Sequence, residues 1–490
     1  MTAGGPVQQQ RNMVIVMSDE HDPRMMGCSG HPFVSTPALD ALAAGGVRFS
    51  NAYTPSPICV PARAAFATGC RVHRIGYWDN AMAYDGAQRG WGHALQDRGI
   101  RVESIGKLHY RAEEDPAGFD AEHIPMHVVG GHGMVWASIR DPYVSRPDGP
   151  RMLGERIGPG ESPYTAYDRS VTGQACDWLQ AAARRGQPFV LYVGLVAPHF
   201  PLIAPPQFYA PYEAMALPEP KLLPRDGYVR HPWVQEYVDF MDSESRFRSP
   251  EERRMAFAAY YGLCSWLDHN VGCITDALRQ AGLDDSTYVV YTSDHGENLG
   301  ARGVWGKSTL YQESVCVPMI LSGPGLAPGV CEAPVDLLDL YPTILQAAGV
   351  DPLPLMEGRP GRSLFETAAD PDPQRPVFSE YHAAGSNSAG YMLRKGRWKY
   401  HYYVRHRPEL FDLQADPEEL RDLAGDPAHA AVLAEMHAAL LEIVDPEATD
   451  RRAKRDQRAM IERLGGPQRA ASLGAPGATP APRTGQGERP

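Results

Sequence analysis

Short apolar runs separated by amphipathic stretches fill the first three-quarters of the chain, and this alternation constrains the fold more than any other feature. Met13–Met17 (MVIVM) reads as a buried strand. Thr36 then reads as an N-cap with Pro37 at the first helical position, opening a helix to Ala44 that Gly45-Gly46 stops. Strands are predicted at Arg101–Ile105, Phe189–Leu195, Tyr288–Thr292 and Val317–Leu321, with helices at Tyr167–Arg185 and Glu251–Ala281. Such a series implies an α/β domain with a large, mostly parallel central sheet flanked by helices. The loops around 111–165 and 201–250 are long, irregular and rich in Pro, Gly and His, which predicts lids or binding walls.

The pattern changes around Ala369–Pro376. Three short strand-like runs follow, near Val377–Tyr381, Tyr391–Arg394 and Trp398–Tyr403, then a helix expected from about Pro417 to Ile443. Together they predict a small C-terminal α+β subdomain. A charged helix is expected over Pro446–Leu464, with Asp445 as N-cap, Pro446 at the first helical position and Gly465-Gly466 as the stop. The Gly/Pro/Ala tail after it has the composition of a disordered segment, one that a partner subunit would have to hold in a homo-oligomer. The expected divisions are 1–370, 371–445 and 446–490, which a chain of 490 residues can support.

A net charge of −12 argues against nucleic acid or an anionic membrane surface as the main partner. No apolar run approaches the roughly eighteen residues of a membrane helix, so no membrane partner is expected. The first residues lack the basic and apolar regions of a signal peptide, and the eight cysteines form no C-x-x-C pair. Both features lead to the expectation of a cytoplasmic protein with free thiols. Lysine is scarce, 6 against 41 Arg, so the positions of the lysines are informative at a tight anion site.

In an open α/β sheet, ligands bind beyond the carboxyl ends of the strands. Asp19, Glu20 and His21 follow the first predicted strand, and Lys107 and His109 follow the second. His199 comes shortly after the third, and Asp294-His295-Gly296-Glu297 follow the fourth. Any one such cluster reads equally well as a solvated loop, but four together point to one shared site. Asp19, Glu20, Asp294 and His295 offer hard oxygen donors and one imidazole, suited to Ca²⁺, Mg²⁺ or Mn²⁺. Cys59-Val60-Pro61-Ala62-Arg63 is the sharpest motif, although alone it reads as a buried cysteine before a proline-bearing first helical turn.

With these segments the chain resembles the formylglycine-dependent sulfatases of the alkaline phosphatase superfamily. The resemblance runs from about Met13 to Leu423 through TPALDALAAGGVRFSNAYTPSPICVPARAAFATG, IGKLH, APHFP, TSDHGENLGARGVWGKSTLYQESVCVPMIL and ELFDLQADPEEL. It implies an alkaline phosphatase-like fold and hydrolysis of an organic sulfate monoester. It further implies that a maturation enzyme oxidises Cys59 to formylglycine. Asp19, Asp294, His295 and the modified Cys59 match metal ligands for one Ca²⁺ or Mn²⁺; Glu20 stands where the family has Asp or Gln. Arg63, Lys107, His109, His199 and Lys307 match residues that hold formylglycine and the sulfate group.

The implied chemistry is an attack on sulfur by one hydroxyl of the aldehyde hydrate, with His199 or Lys307 assisting the leaving oxygen. Lys107 and Arg63 neutralise the sulfuryl oxygens, and His109 deprotonates the second hydroxyl so that sulfate is expelled. Unmodified cysteine has no second hydroxyl and cannot finish the cycle. Phosphonate monoester and phosphodiester hydrolases share the C-x-P-x-R nucleophile and remain an alternative, although they generally lack the lysine at Lys107. A non-catalytic anion-binding protein whose Cys59 is never matured is a second alternative. Asn80 contacts the transferred group or caps a helix, two readings of equal standing.

Overall fold

Strand β1, Asn12–Asp19, lies inside an eight-stranded sheet because its side chains are apolar on both faces. The other strands are β2 (Gly46–Phe49), β3 (Arg101–Lys107), β4 (Ala121–Met126), β5 (Phe189–Pro198), β6 (Thr287–Ser293), β7 (Met319–Ser322) and β8 (Gly329–Cys331). Their order across the sheet is β8-β2-β7-β6-β1-β5-β3-β4. The computed structural model describes residues 11–140, 151–475 and 477–482. Parts of three sequence readings, on the N-terminal stretch, the 111–165 loop and the tail, therefore lie outside the described residues.

Strand β1 pairs in parallel with β5 and β6, and β3 pairs in parallel with β5 and β4. The carboxyl ends of β1, β3, β5 and β6 therefore share one edge of the sheet. Strand β7, expected over Val317–Leu321, runs antiparallel to β6 and β2. Gly46, expected to help stop a helix, instead opens β2.

Alternation along β1 sends Val14 and Val16 to one core and Met13, Ile15 and Met17 to another. The first core is covered by helices α3 (Pro163–Arg185) and α4 (Pro250–Gln280), the second by α2 (Cys59–Thr68) and α5 (Leu340–Ala347). Helix α1, Pro37–Ala44, begins where predicted. Thr36 does not cap it with its side chain, however; the hydroxyl accepts from the Gly27 amide and donates to Asp40. Serine caps start both long helices, Ser162 accepting from Thr165 N and Ser249 from Glu252 N. The 201–250 stretch is less irregular than expected, with helices at Pro206–Glu213 and Pro232–Met241.

The subdomain is a four-stranded antiparallel sheet, β9 (Val377–Tyr381), β10 (Gly390–Lys395), β11 (Trp398–Tyr403) and β12 (Glu409–Asp412). Helix α6 covers only Ala430–Ile443, not the expected span from Pro417. Asp416-Pro417 imitates a helix start, but Glu419 takes a left-handed conformation (φ 53°) and turns inward. There it meets Lys399 Nζ at 2.6 Å and accepts from the Gln312 amide. Tertiary pairing overrides the local signal.

Helix α7, Pro446–Arg463, starts at Asp445 as predicted and packs back on the main domain. Trp78 Nε1 donates to Asp456 Oδ2 (2.9 Å), and Gln457 Nε2 to Asp79 Oδ2 (2.7 Å). The tail is not loose either. Its described residues dock on their own chain, beginning with a bond from Ala475 N to Gly133 O of 2.9 Å. All eight cysteines are free. Among the described residues no single helix is long and apolar enough to cross a membrane.

Candidate active site

Asp19 ends β1, Lys107 ends β3, His199 follows β5 and Asp294-His295 follow β6, so the sheet edge collects all four groups. Helix α2 supplies the fifth. Its ten residues are all buried; Cys59 is the first, and Arg63, four residues on, shares its face. Pro61 needs no amide donor so near a helix start. Three residues at the site hold a left-handed backbone, Glu20 (φ 69°), His109 (φ 59°) and Ser308 (φ 79°). Such strain persists where the surroundings dictate it, and functional sites are where it clusters.

Cys59 Sγ lies 3.2 Å from His295 Nε2 and 3.7 Å from Asp19 Oδ1. The His295 Nε2 atom is 3.6 Å from Asp19 Oδ1 and 3.6 Å from Asp294 Oδ1. Its Nδ1 lies 3.0 Å from Gly296 O, so Nδ1 carries the proton and Nε2 is left as a donor of electrons. Potential ligand atoms of Asp19, Cys59, Asp294 and His295 all lie within 4.8 Å of one another. Two carboxylates, an imidazole in the ligating tautomer and a fourth donor at Cys59 fit a divalent cation.

Glu20 belongs to a neighbouring group with Asp19 and His199, not to the four around Cys59. Its Oε2 faces Lys307 Nζ at 3.2 Å and His199 Nε2 at 3.3 Å. Burial and the Glu297 carboxyl push Glu20 well above the usual carboxylate range, against the pull of Lys307. Arg63 joins the carboxylates, Nε to Asp294 Oδ2 at 2.8 Å and Nη2 to Asp19 Oδ2 at 3.3 Å. Its Nη1 donates to Lys107 O and the Tyr192 hydroxyl.

Burial would raise Asp19, but the ammonium of Lys107, with Lys307 and Arg63, holds it well below the carboxylate range. Burial pushes the Cys59 thiol up to about 12, with Asp19 adding to it. Burial together with adjacent cations holds His109 and His199 well below the usual imidazole range, so both are neutral. Burial would lower Lys307, but the carboxyl groups of Glu20 and Asp19 beside it hold it well above the usual lysine range, so it keeps its proton.

Asn80 touches both the helix and the cavity. Its Oδ1 accepts from the Val60 amide at 3.1 Å, capping α2, and the residue also lines the cavity in front of Cys59. That cavity measures about 330 Å³ and is bounded by Cys59, Lys107, His109, His199 and Lys307 on the charged side. The rest of the lining mixes Met134, Trp136, Met152, Tyr237, Phe240 and Met241 with the polar Arg151, Glu155, Arg246 and Ser308, and Trp136 and Phe240 stack at 5.3 Å. The 111–165 and 201–250 loops and Ala384 of the His382–Asn387 edge thus all reach the pocket, as expected. Sequence reasoning missed Thr479 and Tyr164, which meet the pocket beside His109; nothing in a Gly/Pro/Ala tail signals such a role.

The model of the Sulfatase family matches residues 11–350. This chain belongs to the sulfatase family. The sulfatase is accordingly a sulfuric ester hydrolase, and its 300–445 segment also matches the model described as N-sulphoglucosamine sulphohydrolase, C-terminal. It is 32% identical to a choline-sulfatase of Rhizobium meliloti over 87% of this chain and 84% of that protein. It is 31% identical to arylsulfatase K of Bos taurus over 84% of this chain and 78% of that protein. Among solved structures, a phosphonate monoester hydrolase from Silicibacter pomeroyi superposes with a TM-score of 0.71 at 27% identity, covering 88% of this chain and 95% of that one.

Proposed function

We propose that this sulfatase cleaves a compact sulfate monoester with an apolar body, using Cys59 after its oxidation to formylglycine. The observation that carries the reading is the setting of Cys59. It stands at the start of a buried helix, against Asp19 and His295, with Arg63, Lys107 and Lys307 around the same carboxylates. A buried neutral thiol is a poor nucleophile there, whereas a geminal diol in its place offers one oxygen to attack and one to expel sulfate. A divalent cation held by Asp19, Asp294 and His295, Ca²⁺ or Mn²⁺ by donor chemistry, would acidify a hydroxyl at that position and polarise the sulfuryl group.

The protein's own groups fill the remaining roles. Arg63 orients Asp294 and Asp19 through its fork, and Lys107 holds Asp19 and faces the cavity where sulfuryl oxygens would lie. His199 Nδ1 is engaged by Phe200 O at 2.5 Å, which leaves Nε2 without a proton in the neutral ring. Lys307, protonated and next to Glu20, is therefore the donor to the leaving oxygen, and His199 meets the same Glu20 oxygen. Burial raises both Glu20 and Glu297, beside the ammonium of Lys307.

A pocket of about 330 Å³ that sets Trp136, Phe240, Tyr237 and three methionines beside Arg151, Glu155 and Arg246 gives an aryl or short alkyl leaving group apolar walls with a few polar partners. Choline-sulfatase and arylsulfatase K, the relatives above, are named for such esters or for their aryl analogues. Because α2 is wholly buried, the maturation enzyme would act before the chain folds. Eight unpaired cysteines suit a reducing, cytoplasmic setting.

The likeness to a phosphonate monoester hydrolase favours a second reading, action on phosphonate monoesters or phosphodiesters. Matured enzyme should be offered an aryl sulfate and the corresponding aryl phosphodiester at equal concentration. A higher kcat/KM on the sulfate supports the first reading; a clear preference for the diester replaces it with the second.

A further inference from the structure

The C-terminal segment returns to the active site. A short helix, Pro467–Ala470, buries Ala470, and the chain then passes Gly133 at backbone contact. A Cβ on Gly474 would stand 1.5 Å from Gly133 O, so a side chain there is incompatible with docking. Two hydrogen bonds fix the crossing: Ala475 N donates to Gly133 O at 2.9 Å, and Trp136 Nε1 donates to Ala475 O at 3.3 Å. Farther on, Gly477, Ala478 and Thr479 line the cavity in front of Cys59.

Thr479 is 8 % exposed and held at two points. The Tyr164 hydroxyl donates to its carbonyl, and its own hydroxyl lies 2.8 Å from His109 Nε2. His109 Nδ1 is buried and has no hydrogen-bond partner among the described residues. The Thr479 contact thus sets the rotation of the His109 ring and leaves Nδ1 as the nitrogen free for chemistry. Gly477, with no side chain, and Ala478, with only a methyl group, line the pocket without filling it.

We propose that Gly474–Ala475 and Gly477–Thr479 are a permanent wall of the leaving-group pocket, and that Thr479 is a positioning residue for His109. The inference rests on the sulfatase reading of this pocket. The wall makes the pocket compact, which favours small leaving groups, and the hydroxyl of Thr479 aligns the imidazole for the step that releases sulfate.

Full-length matured enzyme and its Thr479→Ala, Thr479→Ser and Gly474→Val variants test this with nitrophenyl sulfate and a sulfated disaccharide. T479A should lower kcat on nitrophenyl sulfate about tenfold with KM changed less than about twofold, and T479S should recover most of it. G474V should match the kcat loss and raise the disaccharide-to-aryl ratio of kcat/KM about tenfold, because the wall is gone. Hydrogen exchange supplies a readout that needs no activity: the Ala475 amide should be protected in the unsubstituted protein and exchange freely in G474V. The proposal is overturned if that amide exchanges freely in the unsubstituted protein, if T479A keeps full kcat, or if T479S loses as much as T479A. Absence of hydrolysis by every protein, with the aldehyde present, would instead sink the sulfatase reading, while the exchange result would still decide the docking.

Discussion

The ammonium of Lys107 stands 2.5 Å from Asp19 Oδ2, and the two side chains are 1 % and 0 % exposed. Neither charge has water to relax into, so each is needed by the other and by what binds beside them. Lys107→Met should lower kcat on an aryl sulfate by about 10²–10³, the range for losing one preorganised charge at a reacting anion. Lys107→Arg should not recover it, since a planar guanidinium does not fit the space of a compact ammonium. Steady-state rates on both variants check this, and full activity in K107R would remove Lys107 from the anion clamp.

Asn80 has two duties that one substitution separates. Asp at position 80 keeps an acceptor for the Val60 amide and adds favourable charge at the start of α2, so the melting temperature should hold. The same charge faces the cavity and opposes an anionic ester, so KM should rise about tenfold. Asn80→Ala should show the reverse, a loss of about 1 kcal/mol in stability with a smaller change in KM. Melting curves and KM measured on both variants decide it.

Acid should weaken the fold partly through His21. Its ring is fully buried, with Nδ1 2.6 Å from the Tyr291 hydroxyl, and burial pushes its pKa from 6.5 down to about 4 against a hydrogen bond to Met25 O. Between those values the unfolded chain takes up a proton that the folded protein refuses, so stability present above the upper value is lost as pH falls toward the lower. From about pH 7 to about pH 5 this residue alone should cost about 2 kcal/mol. Denaturant melts of the native protein and His21→Gln at both pH values should show a smaller acid loss in the variant, whatever its absolute stability.

The site was legible because its chemistry sits at strand ends, where four apolar runs each hand over to polar residues. Asp19, Lys107, His199 and Asp294-His295 followed from that pattern once the strands were parallel neighbours. Glu20, which stands where the family has Asp or Gln, faces Lys307 and His199, a turn set by its left-handed backbone that no residue type announces. The fold was less legible where long-range pairing decides. Glu419 breaks an apparent helix start to reach Lys399, and β7 runs antiparallel although its sequence reads like its parallel neighbours. The tail looked unstructured because Gly and Ala carry no pattern, while it is that smallness which lets Gly474 lie against Gly133.

The central claim is that Cys59 acts only as formylglycine. The protein should be produced with and without a formylglycine-generating enzyme, and the mass of the peptide carrying Cys59 read beside the turnover of an aryl sulfate. Turnover should scale with the aldehyde fraction and vanish for the pure thiol form and for Cys59→Ala. Full turnover by protein whose Cys59 is entirely a thiol would contradict the account.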